Sequence, residues 1–386
     1  MKILHTSDWH LGKSIHGQDL LEDQRHVLEQ IMTELEDGYD ALLISGDIYD
    51  RAVPPSEAVD LFSKFIEKMV ALAITTIIIP GNHDSATRLD FASGVLEKNG
   101  IHFRCRLDRI TEPVEIRDDE GGLVHVFALP FVDEVHVKAL YPDEGIRTHQ
   151  DATGFLINRI REVRDPSIPS ILMAHAYTGK EPLRSESERE LLIGNQGLVD
   201  IEEFSGFDYV ALGHLHRPQR ASRSNRVSYS GSLIPYSFSE SDHVKCSYVL
   251  ELENKDFRTG ELCHDLKRGF SRLAGELDEL LGSNGYQQIR EDYLSITLTD
   301  EGYLMDIHRK LRERYPHVLE IDQPALHMEA RAASGISREQ ADDPRELFSL
   351  FLSRFGWTDE SEREMAMDLF ERIRKDLDRG EREVSG

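Results

Sequence analysis

The chain has 386 residues, 39% hydrophobic and 30% charged, an ordinary balance for folded globular domains and more length than one ordinary core uses. No apolar run is long enough to span a bilayer, and no basic, apolar and cleavage segments stand in series at the start, so the cytoplasm is the expected location. With 45 basic and 71 acidic residues the net charge is −26, which repels a polyanion at long range and by itself argues against a nucleic-acid substrate.

In chain order, residues 1–6, 40–45 and 75–80 are short apolar runs that predict strands. Between them, 21–35 carries Val27, Leu28, Ile31, Met32 and Leu35 at helical spacing, and Pro54-Pro55-Ser56-Glu57 starts a second helix over 56–72. Further strands are expected at 124–129, 170–174, 209–212, 227–229 and 248–252. Continuous apolar strands alternating with amphipathic helices predict an α/β layer structure with a covered sheet. A polar stretch, 254–260, is read as the close of a first domain, 1–258. A small α+β domain is expected over 259–325, with a strand at 293–298, a helix at 301–314 and a strand at 318–321. A polar linker, 326–344, precedes two amphipathic helices, 345–355 and 361–378. Cys105, Cys246 and Cys263 are far apart, odd in number and without CxxC spacing, so they are read as ordinary thiols, with neither a disulfide framework nor a thiolate metal cage implied.

The informative feature is where His, Asp and Asn fall relative to the strands. Asp8 and His10 follow the first strand at i, i+2, Gly46-Asp47 the second, and Gly81-Asn82-His83-Asp84 the third. His175 ends a later strand, and Gly213-His214-Leu215-His216 ends another. Each group sits at the carboxyl end of an expected strand, where open α/β sheets bind ligands. Imidazole, carboxylate and amide oxygen without thiolate suit Mn²⁺, Fe²⁺ or Zn²⁺. The donors are too many for one ion and about right for two sharing a carboxylate, a pair able to hold both the attacking and the leaving oxygen of a phosphoester. Such bound cations also invert the local field, which weakens the argument from net charge.

In this order, Asp8-x-His10, Gly46-Asp47-x-x-Asp50, Gly81-Asn82-His83-Asp84, His175 and Gly213-His214-x-His216 resemble the signature of the calcineurin-like metallophosphoesterases. The stretches 3–12 (ILHTSDWHLG), 209–219 (YVALGHLHRPQ), 229–240 (YSGSLIPYSFSE) and 300–311 (DEGYLMDIHRKL) are similar, more narrowly, to the SbcD-type nuclease subunits. The resemblance implies a four-layer α/β phosphoesterase sandwich with a small α+β capping domain and C-terminal helices. It implies two divalent ions, usually Mn²⁺: one held by Asp8, His10, Asp47 and His216, the other by Asp47, Asn82, His175 and His214, with Asp47 bridging. His83 would hold no metal and would face the scissile phosphate, stabilising charge or protonating the leaving oxygen. Implied too are cleavage of DNA, as a 3′-to-5′ exonuclease on duplex ends and an endonuclease on single strands and hairpins, pairing of two nuclease subunits, and a coiled-coil ATPase partner of the SbcC type. The stripes Leu347, Phe348, Phe351, Leu352, Phe355 and Met365, Leu369, Phe370, Ile373, Leu377 would be the dock for that partner, against the plainer reading that the two helices bury them internally.

Plainer readings stand beside other residues. Asp50 either orients a ligand or caps a turn, and Asp84 either does the same or starts a helix. His5 belongs to the core by strand alternation, and Lys13, Arg51 and Arg88 are read as solvated charges. The rival functions are a small-substrate phosphodiesterase, which the acidic balance favours, and a non-catalytic scaffold, which an intact donor set opposes.

Overall fold

The computed structural model describes residues 1–178, 197–221, 226–253, 256–282, 285–302, 304–325, 345, 348–349, 352 and 363–372. By internal contacts the chain divides into two units, Met1–Arg272 with Gly285–Ser295 and Tyr315–Glu320, and Leu273–Asn284 with Ile296–Arg314 and Ile321–Gly386.

The first unit is built from β1 (Lys2–Thr6), α1 (Leu21–Glu34), β2 (Ala41–Ser45), α2 (Ser56–Leu72), β3 (Thr75–Ile79), β4 (Ile101–Phe103), β5 (Val114–Arg117), β6 (Leu123–Leu129), α3 (His149–Val163), β7 (Ser170–His175), β8 (Tyr209–Gly213), β9 (Gln219–Arg220), β10 (Val227–Tyr229), β11 (Cys246–Glu253) and β12 (Asp256–Cys263). Two six-stranded sheets result, ordered β12-β11-β1-β2-β3-β4 and β9-β10-β8-β7-β6-β5. Strands β1 to β4 run parallel in the first, and β6, β7, β8 and β10 run parallel in the second.

Strand alternation produces the layers. Ile3, Leu43 and Ile77 on one face of the first sheet meet Val126, Ile171, Met173 and Ala211 of the second in a shared apolar core. The intervening positions Leu4, Leu42, Ile44 and Ile78 point the other way, onto Val27, Leu28 and Ile31 of α1 and Phe62, Phe65 and Met69 of α2. On the far side Phe127, Leu172 and Val210 pack against Leu156, Ile157 and Ile160 of α3. The order is therefore helix, sheet, sheet, helix, the four-layer sandwich expected. Each fully buried Leu or Ile in these layers contributes about 1.5–3 kcal/mol of transfer free energy. Thr148 and Asp151 cap α3 reciprocally, and Pro55 sits at the extended N-cap of α2.

Three expectations are corrected. The first domain does not close at 258 as expected: β12 pairs antiparallel with β11 from Glu253–Asp256 to Cys246–Cys263, so the sheet runs across that position. Polar residues suit β12 because it is an edge strand, with an exposed face. Cys246 and Cys263 are not ordinary thiols; they face each other across that pair and form a disulfide, a contact that sequence separation conceals. The helix expected over 301–314 begins only at Ile307, because Gly302 and Asp306 adopt left-handed backbone that interrupts helical geometry.

In the second unit, helices α4 (Leu277–Gly282) and α5 (Ile307–Arg314) pack together. Residues 363–372 are helical, the Phe348 and Phe370 rings stack at 4.5 Å, and Met365 and Leu369 are exposed. Leu347, Phe351, Phe355, Ile373 and Leu377 lie outside the described residues, as does the expected linker from 326 to 344. No helix among the described residues is long and apolar enough to cross a membrane.

Candidate metal centre

Five loops leave the carboxyl ends of β1, β2, β3, β7 and β8, and main-chain hydrogen bonds stitch them together. The N–H groups of Asp8 and His10 donate to the carbonyls of Gly46 and Asp47, at 3.0 and 2.9 Å. His83 N–H donates to Asp47 Oδ1 at 2.8 Å, and His214 N–H to the Asp8 carboxylate at 3.0 Å. Asp84 accepts from the N–H groups of Ile48, Tyr49 and Gly81, tying the second loop to the third.

Such crowding distorts the backbone where the donors sit. Asp8, His10, Asp47 and His214 take φ of 53°, 43°, 50° and 115°, a left-handed region that costs a non-glycine residue about 1–3 kcal/mol. Glycines allow the sheet ends to meet. A Cβ on Gly46 would land on His175 Nδ1, and one on Gly213 on the Ser45 carbonyl.

All seven donors singled out in the sequence are brought together. Asp47 Oδ2 lies 3.5 Å from His10 Nε2 and 3.5 Å from His175 Nε2. On one side His10 Nε2 is 3.1 Å from His216 Nε2, with Asp8 in the same cluster. On the other, Asn82 Oδ1 is 3.0 Å from His175 Nε2 and 3.3 Å from His214 Nδ1. Asp8 also falls within the cluster of Asp47 and His175, so it stands near both sides.

A divalent pair fits this set on chemical grounds. His175 Nδ1 bonds the Ser45 carbonyl at 2.9 Å; a carbonyl only accepts, so the proton sits on Nδ1. Its Nε2 then faces two oxygens, Asn82 Oδ1 at 3.0 Å and Asp47 Oδ2 at 3.5 Å, a convergence of imidazole, amide and carboxylate donors that suits a divalent cation. Burial, with the charges of His216, His83 and Lys13, holds His10 well below the ordinary histidine range, which keeps it an unprotonated donor. Desolvation raises Asp8, against the opposing pull of His175 and His216, and pushes Asp84 up to about 7 with help from Asp47. Cations at the centre reverse both costs.

His83 is held differently. Its Nδ1 donates to the Asp50 carbonyl at 2.7 Å, leaving Nε2 to give or take a proton. The Asp50 carboxylate pairs with Lys13 at 2.8 Å and stands 3.8 Å from His10 Nδ1. Lys13 is therefore a partly buried ion-pair partner, and not the solvated charge expected, whereas Arg51 and Arg88 are exposed. His5 is buried, 3.1 Å from the Tyr209 hydroxyl, outside the centre.

Sequence reasoning missed the supporting residues. Gln24 of α1 donates to the carbonyls of Trp9 and His10 and accepts from Gly12 N–H, holding the first loop. Glu240 Oε1 lies 3.3 Å from His216 Nδ1, and its other oxygen accepts from Lys245, whose buried ammonium also donates to the His216 carbonyl at 2.8 Å and to Ser232 Oγ at 3.0 Å. Burial alone would raise Glu240, but Lys245 and His216 outweigh it and hold the carboxyl well below its usual range. A carboxylate behind a donor histidine fixes the ring and raises its basicity. The only signal was a glutamate ending the stretch 229–240, with Lys245 soon after.

Residues 1–218 match the calcineurin-like phosphoesterase family, and residues 267–354 match a family described as the type 5 capsule protein repressor C-terminal domain. Among curated proteins, the SbcD subunit of the SbcCD nuclease from Staphylococcus epidermidis is 36% identical over 323 residues, spanning 83% of this chain and 84% of that one. Its counterpart in Staphylococcus saprophyticus is 34% identical over 321 residues, with the same coverage.

Proposed function

The chain belongs to the calcineurin-like phosphoesterase family, in the branch of the SbcD nuclease subunits, and from that premise we propose that it is a two-metal DNA nuclease acting with an SbcC-type coiled-coil ATPase in DNA repair and recombination. It is a metal-dependent phosphodiesterase that takes divalent cations, for which Mn²⁺ is our assignment. Asp8, His10, Asp47 and His216 would hold one ion, and Asp47, Asn82, His175 and His214 the other. The observation that carries the paired reading is Asp47 Oδ2, equidistant at 3.5 Å from one histidine of each set.

The chemistry supplied at such a pair is neutralisation of phosphate charge and acidification of the attacking water. The chain's own part is positional. Gln24, Asp84, Glu240 and the Ser45 carbonyl fix the donors before substrate arrives, which removes reorganisation from the reaction. His83, with its Nδ1 proton tied to Asp50, would meet the scissile phosphate through Nε2 and protonate the leaving oxygen. We assign 3′-to-5′ exonuclease and single-strand and hairpin endonuclease activity, partner binding to 345–386, and a homodimer within a heterotetramer.

A net charge of −26 favours a second reading, a small-substrate phosphodiesterase. Cleavage of linear DNA, a cyclic nucleotide and a phosphopeptide in Mn²⁺, Mg²⁺ and chelator, with and without the ATPase, separates the two. DNA cleavage that is lost in chelator and raised by the partner supports the nuclease; cleavage of only the small substrates overturns it.

A further inference from the structure

Cys246 opens β11 and Cys263 closes β12, the edge strand of the first sheet, and their sulfurs are bonded across the pair. Cys263 is exposed and Cys246 buried. The third cysteine, Cys105, is buried elsewhere, and desolvation pushes its thiol up to about 12, which keeps it protonated and unreactive. The rung beside the disulfide joins the residues flanking the cysteines: His264 N–H donates to the Lys245 carbonyl at 2.9 Å. Lys245 is the buried ammonium that grips the His216 carbonyl, Ser232 and Glu240, and Glu240 in turn abuts His216 Nδ1. The sulfur pair is thus one peptide unit from the residue that fixes His216.

We propose that Cys246 and Cys263 are a reversible redox pair that sets how firmly Lys245 and Glu240 hold His216, and through it how tightly the chain retains one divalent ion. The inference rests on the reading of His216 as a metal ligand. Oxidation proceeds by exchange with a low-molecular-weight disulfide of the glutathione type. The accessible Cys263 thiolate attacks one sulfur of that molecule, and the other sulfur leaves as a thiolate. The Cys246 thiolate then attacks Cys263 Sγ, forming the cross-strand bond and expelling the second thiolate. Two electrons and two protons pass from the cysteines, and the small disulfide becomes two thiols; a dithiol reverses the sequence. With the bond open, the end of the hairpin loses its covalent tie and keeps its main-chain rungs and the Ser247 Oγ–His264 Nε2 contact at 3.1 Å, which are weaker, and strand ends open first. Lys245 sits at that end, so the clamp on His216 loosens with it.

The test uses the full chain, stripped of metal and poised at graded ratios of glutathione disulfide to dithiol. Free thiols are counted by alkylation and mass, amide exchange is followed over residues 244–264, and Mn²⁺ affinity is measured by titration. The oxidised form is expected to bind one of two Mn²⁺ about tenfold more tightly than the reduced form, the lower end of the effect of removing a group behind a metal ligand. Exchange at Lys245 and His264 should slow in parallel. Cys263→Ser should show the reduced-form values under both conditions, and Cys105→Ser should respond as the wild type does. Equal Mn²⁺ affinity in the two redox states, or three free thiols at every ratio, overturns the proposal, and the wild-type comparison decides it even where Cys263→Ser fails to fold. Absence of Mn²⁺ binding in both states is a different result, which overturns the metal reading and this inference with it.

Discussion

The main-chain N–H of His83 donates to Oδ1 of Asp47 at 2.8 Å, while the imidazole of the same residue is tied to Asp50. His83 thus supports the Asp47 carboxylate through its backbone, while its ring is oriented through Nδ1 alone in these contacts, as the proposed acid–base role requires. His83→Ala keeps the backbone bond, so both ions should remain while DNA cleavage falls by about 10²- to 10⁴-fold, the range for a general acid–base group. Metal analysis beside a cleavage assay checks this. Metal content falling as far as activity would make His83 a ligand.

Gly81 closes on the same carboxylate oxygen. A Cβ there would overlap Asp47 Oδ1 and the Asp47 main-chain nitrogen, and main chain cannot swing aside as a flexible side chain can. Gly81→Ala should therefore lose both ions, while Gly94→Ala, whose Cβ meets open space, should lose neither. Equal Mn²⁺ stoichiometry in the two variants would contradict the placement of Asp47.

Much of the centre was legible because its donors cluster within a few residues of strand ends, where local pattern and ligand chemistry coincide. Asp47 and His175 were found this way although 128 positions separate them, since each ends an apolar run. Gln24, Glu240 and Lys245 were not, because their roles arise only from packing: Gln24 reads as an ordinary helix residue, and Lys245 as a surface lysine between Val244 and Cys246. The disulfide was hidden for the same reason, being a matter of strand register. The stretch 254–260 reads as the close of a domain because β12 is an edge strand whose polar residues leave one face exposed.

His5 offers a pH test away from the centre. Burial lowers its pKa from 6.5 to about 3, against the smaller opposing effect of a main-chain hydrogen bond at Leu212. Below pH 6.5 the unfolded chain takes up a proton that the folded chain refuses, so this residue's contribution is intact above that pH and is lost as pH falls toward 3. The slope should be about 1.4 kcal/mol per pH unit within that window. Urea unfolding of wild type and His5→Gln from pH 8 to 4.5 should give free energies whose difference is flat above pH 7 and shrinks below it. Parallel curves throughout would contradict the assignment.

With 71 acidic residues against 45 basic ones, the isolated chain repels DNA and should release few DNA counterions on binding, so its DNA binding should be weak, with a shallow salt dependence that steepens when the ATPase is present. A truncation after Ala341 should keep turnover of small phosphodiesters and the melting temperature, yet lose co-purification with the ATPase and its stimulation of duplex cleavage. A lower melting temperature with loss of all activity would mean that these helices serve only to pack.

The two-ion centre can be counted. The chelator-stripped chain should bind two Mn²⁺ by titration, with spin coupling between them, and Asp47→Ala should abolish both sites because one oxygen faces both histidine sets. Nuclease activity should return only as the second ion binds. A single tight Mn²⁺ per chain, or two retained in Asp47→Ala, would contradict the account.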